Sequence, residues 1–379
     1  MSVDVTRDEK ISAVRLLALL IGLALVASAL WEGFETVVLP RTVSRRLRLA
    51  RIYFGLTWQA WGDVASRVRR DGRRERFLAI YGPVSLLGLL AVWALCLIAG
   101  FALLHWAHGS DLAVPGRRAQ LVDDLYMSGT TFFTLGLGDV HPIGAIARVL
   151  TVAEGGMGFA FLAIVIAYFP VLYQSFSRRE VRLTLMDAWA GSPPAAAELL
   201  RRLAAAGELK ALDAFLRDWE YWCSELLESH ISYPVLAFFR SQHSRQSWVS
   251  ALVTVLDASA LVIVGIEGVP TLQAKMTFAI ARHAAVDLSQ VLYASVDTSV
   301  DRLSPAELER VHQVLEETGL RPRRTPEADA RLAELRRSYE PYVAGLSRRL
   351  MMPLPLWRRE DAARDNWQTS PKRDIEPHL

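Results

Sequence analysis

Ten residues between two long apolar stretches have the types and spacing to do chemistry: Thr130-Thr131-Phe132-Phe133-Thr134-Leu135-Gly136-Leu137-Gly138-Asp139. That chemistry would come from backbone rather than side chains. A cation such as K⁺ crosses a narrow passage only if other oxygens replace its water, and rings of backbone carbonyls can do so. Carbonyls line one side of an extended segment when alternate residues take dihedrals that glycine tolerates and others resist. Gly136 and Gly138 stand at that alternate spacing, and Thr134 adds a hydroxyl at the inner end of the row. A glycine turn in an external loop would have the same local sequence, so the flanking elements must decide.

Those elements are long and apolar. The chain has 379 residues, 52% of them hydrophobic, and a mean hydropathy of +0.20, which points to a membrane part and a water-exposed part. Residues 11–31 are apolar except for Arg15 near one end, where its side chain can reach headgroups. At ~1.5 Å per residue they cross a hydrocarbon layer of roughly 30 Å. No small-residue cleavage site follows them, so they read as an anchor rather than a signal peptide, and Trp31-Glu32-Gly33-Phe34-Glu35 as a membrane exit. Residues 77–110 contain no Asp, Glu, Lys or Arg, and a second span fits at about Pro83–His105. A third occupies about Ala147–Phe176, with Arg148 at one end and Ser177-Arg178-Arg179 at the other.

Charge orients the spans. Residues 41–76 carry eleven Arg against Asp63, Asp71 and Glu75, a local net of +8. So short and basic a loop belongs in the cytoplasm, which leaves the N-terminus outside and the large C-terminal region inside a plasma membrane. Within the loop, Ile52–Trp61 is apolar but half a bilayer long, and reads as an interfacial helix with its flanking Arg on anionic lipid. Nucleic acid would also suit a basic run, but a run pinned between two spans meets lipid instead.

Residues 120–133 predict a short helix that enters the membrane and returns, a path tolerated where protein or a water-filled cavity surrounds it. Its carbonyl end would favour a cation. Glu154 is the only acidic residue within the third span, and an intramembrane carboxyl is a functional group by default; its level suggests a hydrogen bond to the pore helix near Thr130, or attraction of the ion. Gly155, Gly156 and Gly158 either permit bending or let helices approach closely. Phe159, Leu162 and Ile166 follow at helical spacing and would line a cavity, and Pro170 would kink the helix toward an inner gate. His141 is a solvated loop histidine or, less in keeping with its setting, an external pH sensor.

Thr134-Leu135-Gly136-Leu137-Gly138-Asp139, preceded by a short helix and set between two spans, resembles the selectivity filter of the potassium channel pore family. The match runs without gaps from about Tyr126 to Tyr173. The resemblance implies that Thr131 and Thr134 are the filter threonines, and that K⁺ is bound by the carbonyls of Thr134, Leu135, Gly136 and Leu137, with Gly138 closing the row. It implies that Tyr126 and Asp139 support the filter, a role that the level of Glu154 extends to Glu154 and Thr130; it also implies that Gly158 is a gating hinge and that four copies build one pore. Leu137 stands where the family has Tyr or Phe, and Phe133 where it often has Thr. K⁺ is then the transported ion, and no cofactor is called for.

From about Val181 the composition becomes that of a helical domain. Ser192-Pro193-Pro194 reads as a helix start before Ala195–Ala206, Ser304 and Thr325 as N-caps, and Leu209–Glu228, Trp248–Gly265 and Leu272–Tyr293 as helices. Residues 319–326 form a linker, a helix follows from Thr325 through Leu350, and the last 25 or so residues read as disordered. Val249–Val269 is nearly long enough to span, but Asp257 in its middle favours burial in a cytoplasmic bundle.

The expected architecture is an all-α membrane protein: an N-terminal span (1–35), a basic loop with an interfacial helix (36–80), a pore domain (81–178), a helical cytoplasmic domain (179–320) and a C-terminal helix and tail (321–379). Two cysteines, Cys96 and Cys223, support neither a disulfide framework nor a zinc site. No catalytic constellation, Gly-x-Gly-x-x-Gly nucleotide site or Arg-repeat voltage sensor emerges. His283 and Asp287 share a helix face, yet two ligands do not make a metal site. The function expected is passive K⁺ transport. The competing readings are a non-selective cation channel of the same build and a membrane-anchored scaffold with a vestigial pore.

Overall fold

The computed structural model describes residues 2–37, 49–69, 71–242, 245–359 and 365–368. The expectations for the Arg-rich residues 41–48 and for most of the C-terminal tail lie outside them. The described chain is an all-α membrane protein with one pair of two-residue strands. It divides into two compact units, residues 1–61 with 83–172 and residues 62–82 with 173–379.

The first unit is organised by α1 (Ser2–Val37), α2 (Leu49–Ser66), α3 (Asp71–Ala107), β1 (Leu112–Ala113), α4 (Leu121–Phe132), β2 (His141–Pro142) and α5 (Ala145–Ala190). α1, α3 and α5 are each long and apolar enough to cross a membrane. α1 and α3 cross where both have glycine: a Cβ on Gly100 would sit 2.7 Å from Val26 and 3.1 Å from the Gly22 carbonyl. Small residues allow this approach, which in lipid replaces the hydrophobic effect as the source of helix association. Val26, Ala29, Ala94, Leu97, Ile98, Phe101 and Leu104 form a core with Phe132, the last residue of α4. Glu32, in the stretch that reads as a membrane exit, meets the start of α2. It is buried, and its carboxylate accepts from the first N–H groups of α2, Leu49 at 2.8 Å and Ala50 at 3.2 Å, the end of a helix where negative charge is favoured.

α5 runs past the expected boundary at residue 178. No glycine interrupts it after Gly158, Pro170 is carried within it, and it stops at Gly191, whose φ of +86° suits a helix C-terminus.

The second unit adds α6 (Ala196–Ala205), α7 (Ala211–Ser232), α8 (Trp248–Gly265), α9 (Leu272–Val291), α10 (Pro305–Glu316), α11 (Pro326–Arg337) and α12 (Glu340–Leu350). α8 has the length and hydropathy of a span, but 89% of it is buried inside protein, against α9, α11, α6 and α12. Asp257, wholly buried, is held by Arg302 at 2.7 and 3.2 Å and by the Tyr339 hydroxyl. Ser304 and Thr325 cap as expected, each accepting from an N–H three residues on at 3.2 Å.

Three expectations need correction. Ser192 is not an N-cap: Ala195 takes that place without a side-chain bond, and Ser192 instead receives the Asn366 N–H on its hydroxyl and donates its own N–H to Asp365. The helix expected from Thr325 to Leu350 breaks at Ser338 and Tyr339, because Pro341 lacks an N–H and is tolerated only in a first turn. The tail is held at two points: Trp357 is buried under the guanidinium groups of Arg302 and Arg336, and Asp365 pairs with Arg202 at 2.6 Å and Arg359 at 2.7 Å.

Candidate ion pathway

α4 enters the hairpin with its N-terminus secured. Asp123 accepts from the Gln120 N–H at 2.8 Å and from both terminal nitrogens of Arg117 at 2.6 Å, while Asp124 accepts from Ser110 at 2.6 Å. On the far side of the filter β2 returns antiparallel to β1, pairing Leu112 with Pro142 and Ala113 with His141. His141 is exposed there. The segments before α4 and after the filter are thereby tied together.

The Thr134–Asp139 segment begins at the C-cap of α4. The Thr134 N–H donates to the Thr131 carbonyl (3.0 Å) and the Leu135 N–H to the Thr130 carbonyl (2.8 Å). This is the bond pair of a Schellman motif, and it requires a left-handed residue, usually glycine, at the position Thr134 fills. Thr134 has φ +56°, Gly136 +56° and Gly138 +79°. The left-handed conformation therefore recurs at every second residue, with Leu135 and Leu137 between. The expected alternation is present, and it starts one step earlier than the glycines alone indicate. For a β-branched threonine this φ costs on the order of 1–3 kcal/mol, a cost found where surrounding structure imposes it. Among the described residues no backbone N–H bonds the carbonyls of Thr134, Leu135, Gly136, Leu137 or Gly138. A row of carbonyls left without protein donors can coordinate a dehydrated cation.

Residues 90–174, which take in this hairpin and the adjoining parts of α3 and α5, match the model of the Ion channel family. This stretch is an ion channel domain. Over 201 residues the chain is 25% identical to the uncharacterized membrane protein YdjJ of Bacillus subtilis (strain 168), covering 49% of this chain and 54% of that protein. Over 90 residues it is 32% identical to Protein LctB of Bacillus caldotenax and, equally, of Geobacillus stearothermophilus, covering 21% of this chain and 66% of each. The chain thus spans about half the length of YdjJ and just under two thirds of LctB. No solved structure matches it.

Within the channel domain, Tyr126 and Asp139 meet as a pair: the phenol donates to the carboxylate at 2.9 Å, tying α4 to the far end of the Thr134–Asp139 segment. Thr130 does not meet Glu154. Its hydroxyl turns back to the Met127 carbonyl at 2.9 Å, as threonine does within helices, and the partner of Glu154 is the Ser128 hydroxyl. Gly158 lies against the last turn of α4, where an added Cβ would stand 2.1 Å from the Phe132 carbonyl. Close packing thus accounts for glycine there, and α5 is continuous through it. Phe159, Leu162 and Ile166 lie on one face of α5 and are 69%, 55% and 64% exposed in the single chain. That face is free to meet the pore or another copy.

Two features of the second unit were not visible as such in the chain. Arg179, which reads as an interfacial charge, is buried and donates to the Leu236 carbonyl (2.9 Å) and the Phe239 carbonyl (2.8 Å). Beside it an open cavity of about 420 Å³ is lined by Ser175, Arg178, Glu225, Ser229 and Tyr233. Trp219 and Trp222 pack edge to face at 4.8 Å in the core. His283 and Asp287 form an isolated pair at 3.6 Å, and among the described residues no group of three or more His, Cys, Asp and Glu is placed to hold a metal ion.

Proposed function

We propose that four copies of this chain surround one pore and conduct K⁺ passively across a plasma membrane, with the N-terminus outside and the second unit in the cytoplasm. The observation that carries the reading is the alternation of positive φ at Thr134, Gly136 and Gly138, with their carbonyls unbonded by the protein. One chain supplies one such row, and a cation stripped of water needs oxygens on all sides, so the row calls for symmetric partners. Thr134, Leu135, Gly136 and Leu137 then bind K⁺ in successive rings, Gly138 closes the row, and Tyr126, Thr131 and Asp139 hold it in place. Phe159, Leu162, Ile166 and Pro170 line the route below. The basic residues 41–76 rest on anionic inner-leaflet lipid.

A second reading, a cation channel with little preference for K⁺, is favoured by one observation. Leu137 is 64% exposed and has no polar group with which to brace the filter backbone. Purified protein in liposomes decides between them. K⁺ flux well above Na⁺ flux under matched gradients supports the proposal, equal fluxes support the second reading, and Leu137→Tyr separates the two further by raising the K⁺ preference if the missing brace is the cause.

A further inference from the structure

A carboxyl that the ion pathway does not use lies buried behind the filter hairpin. Glu154 of α5 is fully buried, its Oε2 has no hydrogen-bond partner, and its other oxygen meets only the hydroxyl of Ser128 on α4. That hydroxyl also lies 2.8 Å from the main-chain carbonyl of Ile98 on α3. The proton count of this chain of contacts is restrictive. A serine has one proton to donate, and neither a main-chain carbonyl nor a carboxylate has any. With Glu154 ionised, one of the two oxygen–oxygen contacts has no proton in it. With Glu154 protonated, both are hydrogen bonds: Glu154 donates to Ser128, and Ser128 donates to Ile98. A lone carboxylate with no cation beside it in an apolar setting is also costlier than a neutral acid.

We propose that Glu154 is a neutral carboxylic acid and that its proton, relayed through Ser128 to Ile98, is the positioning element that fixes the pore helix to α3 and α5. The other titratable groups on these three helices in the first unit do not bond Glu154. Asp123 is held by Arg117, Asp124 by Ser110 and Tyr126 by Asp139. Cys96 and His105 lie on α3, Tyr168 lies well below on α5, and Arg148 is six residues back along α5, about 9 Å of helical rise. Raising the pH until Glu154 ionises removes the proton from one contact, frees the pore helix from α3 or α5, and lowers conduction. This last step rests on the channel reading, whereas the protonation state does not.

Infrared difference spectra of the full-length protein in liposomes, wild type minus Glu154→Gln, read the proton directly, and cation flux in the same vesicles reads its consequence. The expected result is a protonated-carboxyl band at neutral pH that disappears on alkalinisation over the range in which wild-type flux is lost. Glu154→Gln, whose amide can still donate to Ser128, keeps its flux and loses that pH dependence. In Ser128→Ala the band persists but shifts, because the acid has lost its acceptor. Absence of the band at neutral pH, an unshifted band in Ser128→Ala, or a Glu154→Gln flux profile with the wild-type pH dependence each overturns the proposal. If no preparation conducts, the channel reading fails, and the band and its shift still decide the protonation and the relay.

Discussion

Replacing Gly136 with alanine should leave a folded protein that carries no cation. Gly136 sits at φ +56°, and nothing lies within 4 Å of the position a Cβ would take, so the new methyl meets no steric obstacle within the chain. The penalty is in the backbone: a left-handed alanine costs roughly 1–2 kcal/mol per copy, and a symmetric pore would incur it four times at one level. The residue escapes by returning to negative φ, which rotates the adjoining carbonyls away from the row. Cation flux should fall to that of empty liposomes, while the helical content and the melting temperature, set by cores elsewhere, hardly change. Flux equal to wild type would mean that these carbonyls do not carry the ion. The same argument predicts a comparable loss for Gly138→Ala, at φ +79°.

The largest effect on stability is expected at Arg302. Asp257 is fully buried in the middle of α8, and Arg302 holds both of its oxygens while donating a further bond to the Pro355 carbonyl at 2.8 Å. The Asp257 carboxylate beside Arg302 drives the guanidinium more firmly to its charged form, although burial opposes it, and burial pushes the Tyr339 phenol well above its ordinary range. Arg302→Met therefore leaves a buried carboxylate without its cation, at a cost of about 3–5 kcal/mol. Removing both charges, as in Asp257→Leu with Arg302→Met, should recover much of that loss, because a buried ion pair exchanged for apolar groups is often close to neutral. Thermal or denaturant unfolding of the full chain, followed at the tryptophans of the second unit, measures both. A single and a double variant of equal stability would show that the pair does not couple α8 to the segment from Arg302 onward.

α8 also illustrates how much could be read from the chain alone. Its length and hydropathy fit a membrane span, and Asp257 in its middle, Glu267 near its end and the lack of flanking charge asymmetry argued otherwise; the structure supplies the cation, 45 residues from Asp257, that makes burial in protein feasible. A partner that distant has no local signal. The channel hairpin was legible for the opposite reason, since its constraints are local. Gly136 and Gly138 declare the alternation, and the apolar runs around them declare the spans. Even there the reading, which placed Thr134 in the row, missed its positive φ, because nothing in a threonine announces the left-handed backbone that the Schellman closure on Thr130 and Thr131 imposes. Glu154 was rightly directed at the pore helix and was misassigned by two residues, since Ser128 and Thr130 are both hydroxyls and helix packing alone chooses between them. Arg179 looked like an interfacial charge because its partners are main-chain carbonyls, which every sequence has. The break between α11 and α12 was signalled by Pro341, a local signal that the single helix expected from Thr325 through Leu350 passed over.

The central claim is that the carbonyls of Thr134 to Leu137, contributed by symmetric copies, bind the ion. Thallium scatters anomalously and substitutes for K⁺, so crystals of the full-length protein grown with thallium locate the ion without reference to transport. The account predicts a file of anomalous peaks on a fourfold axis, level with the carbonyls of Thr134, Leu135, Gly136 and Leu137. Ions held elsewhere, or a filter segment facing no axis and binding none, would contradict it.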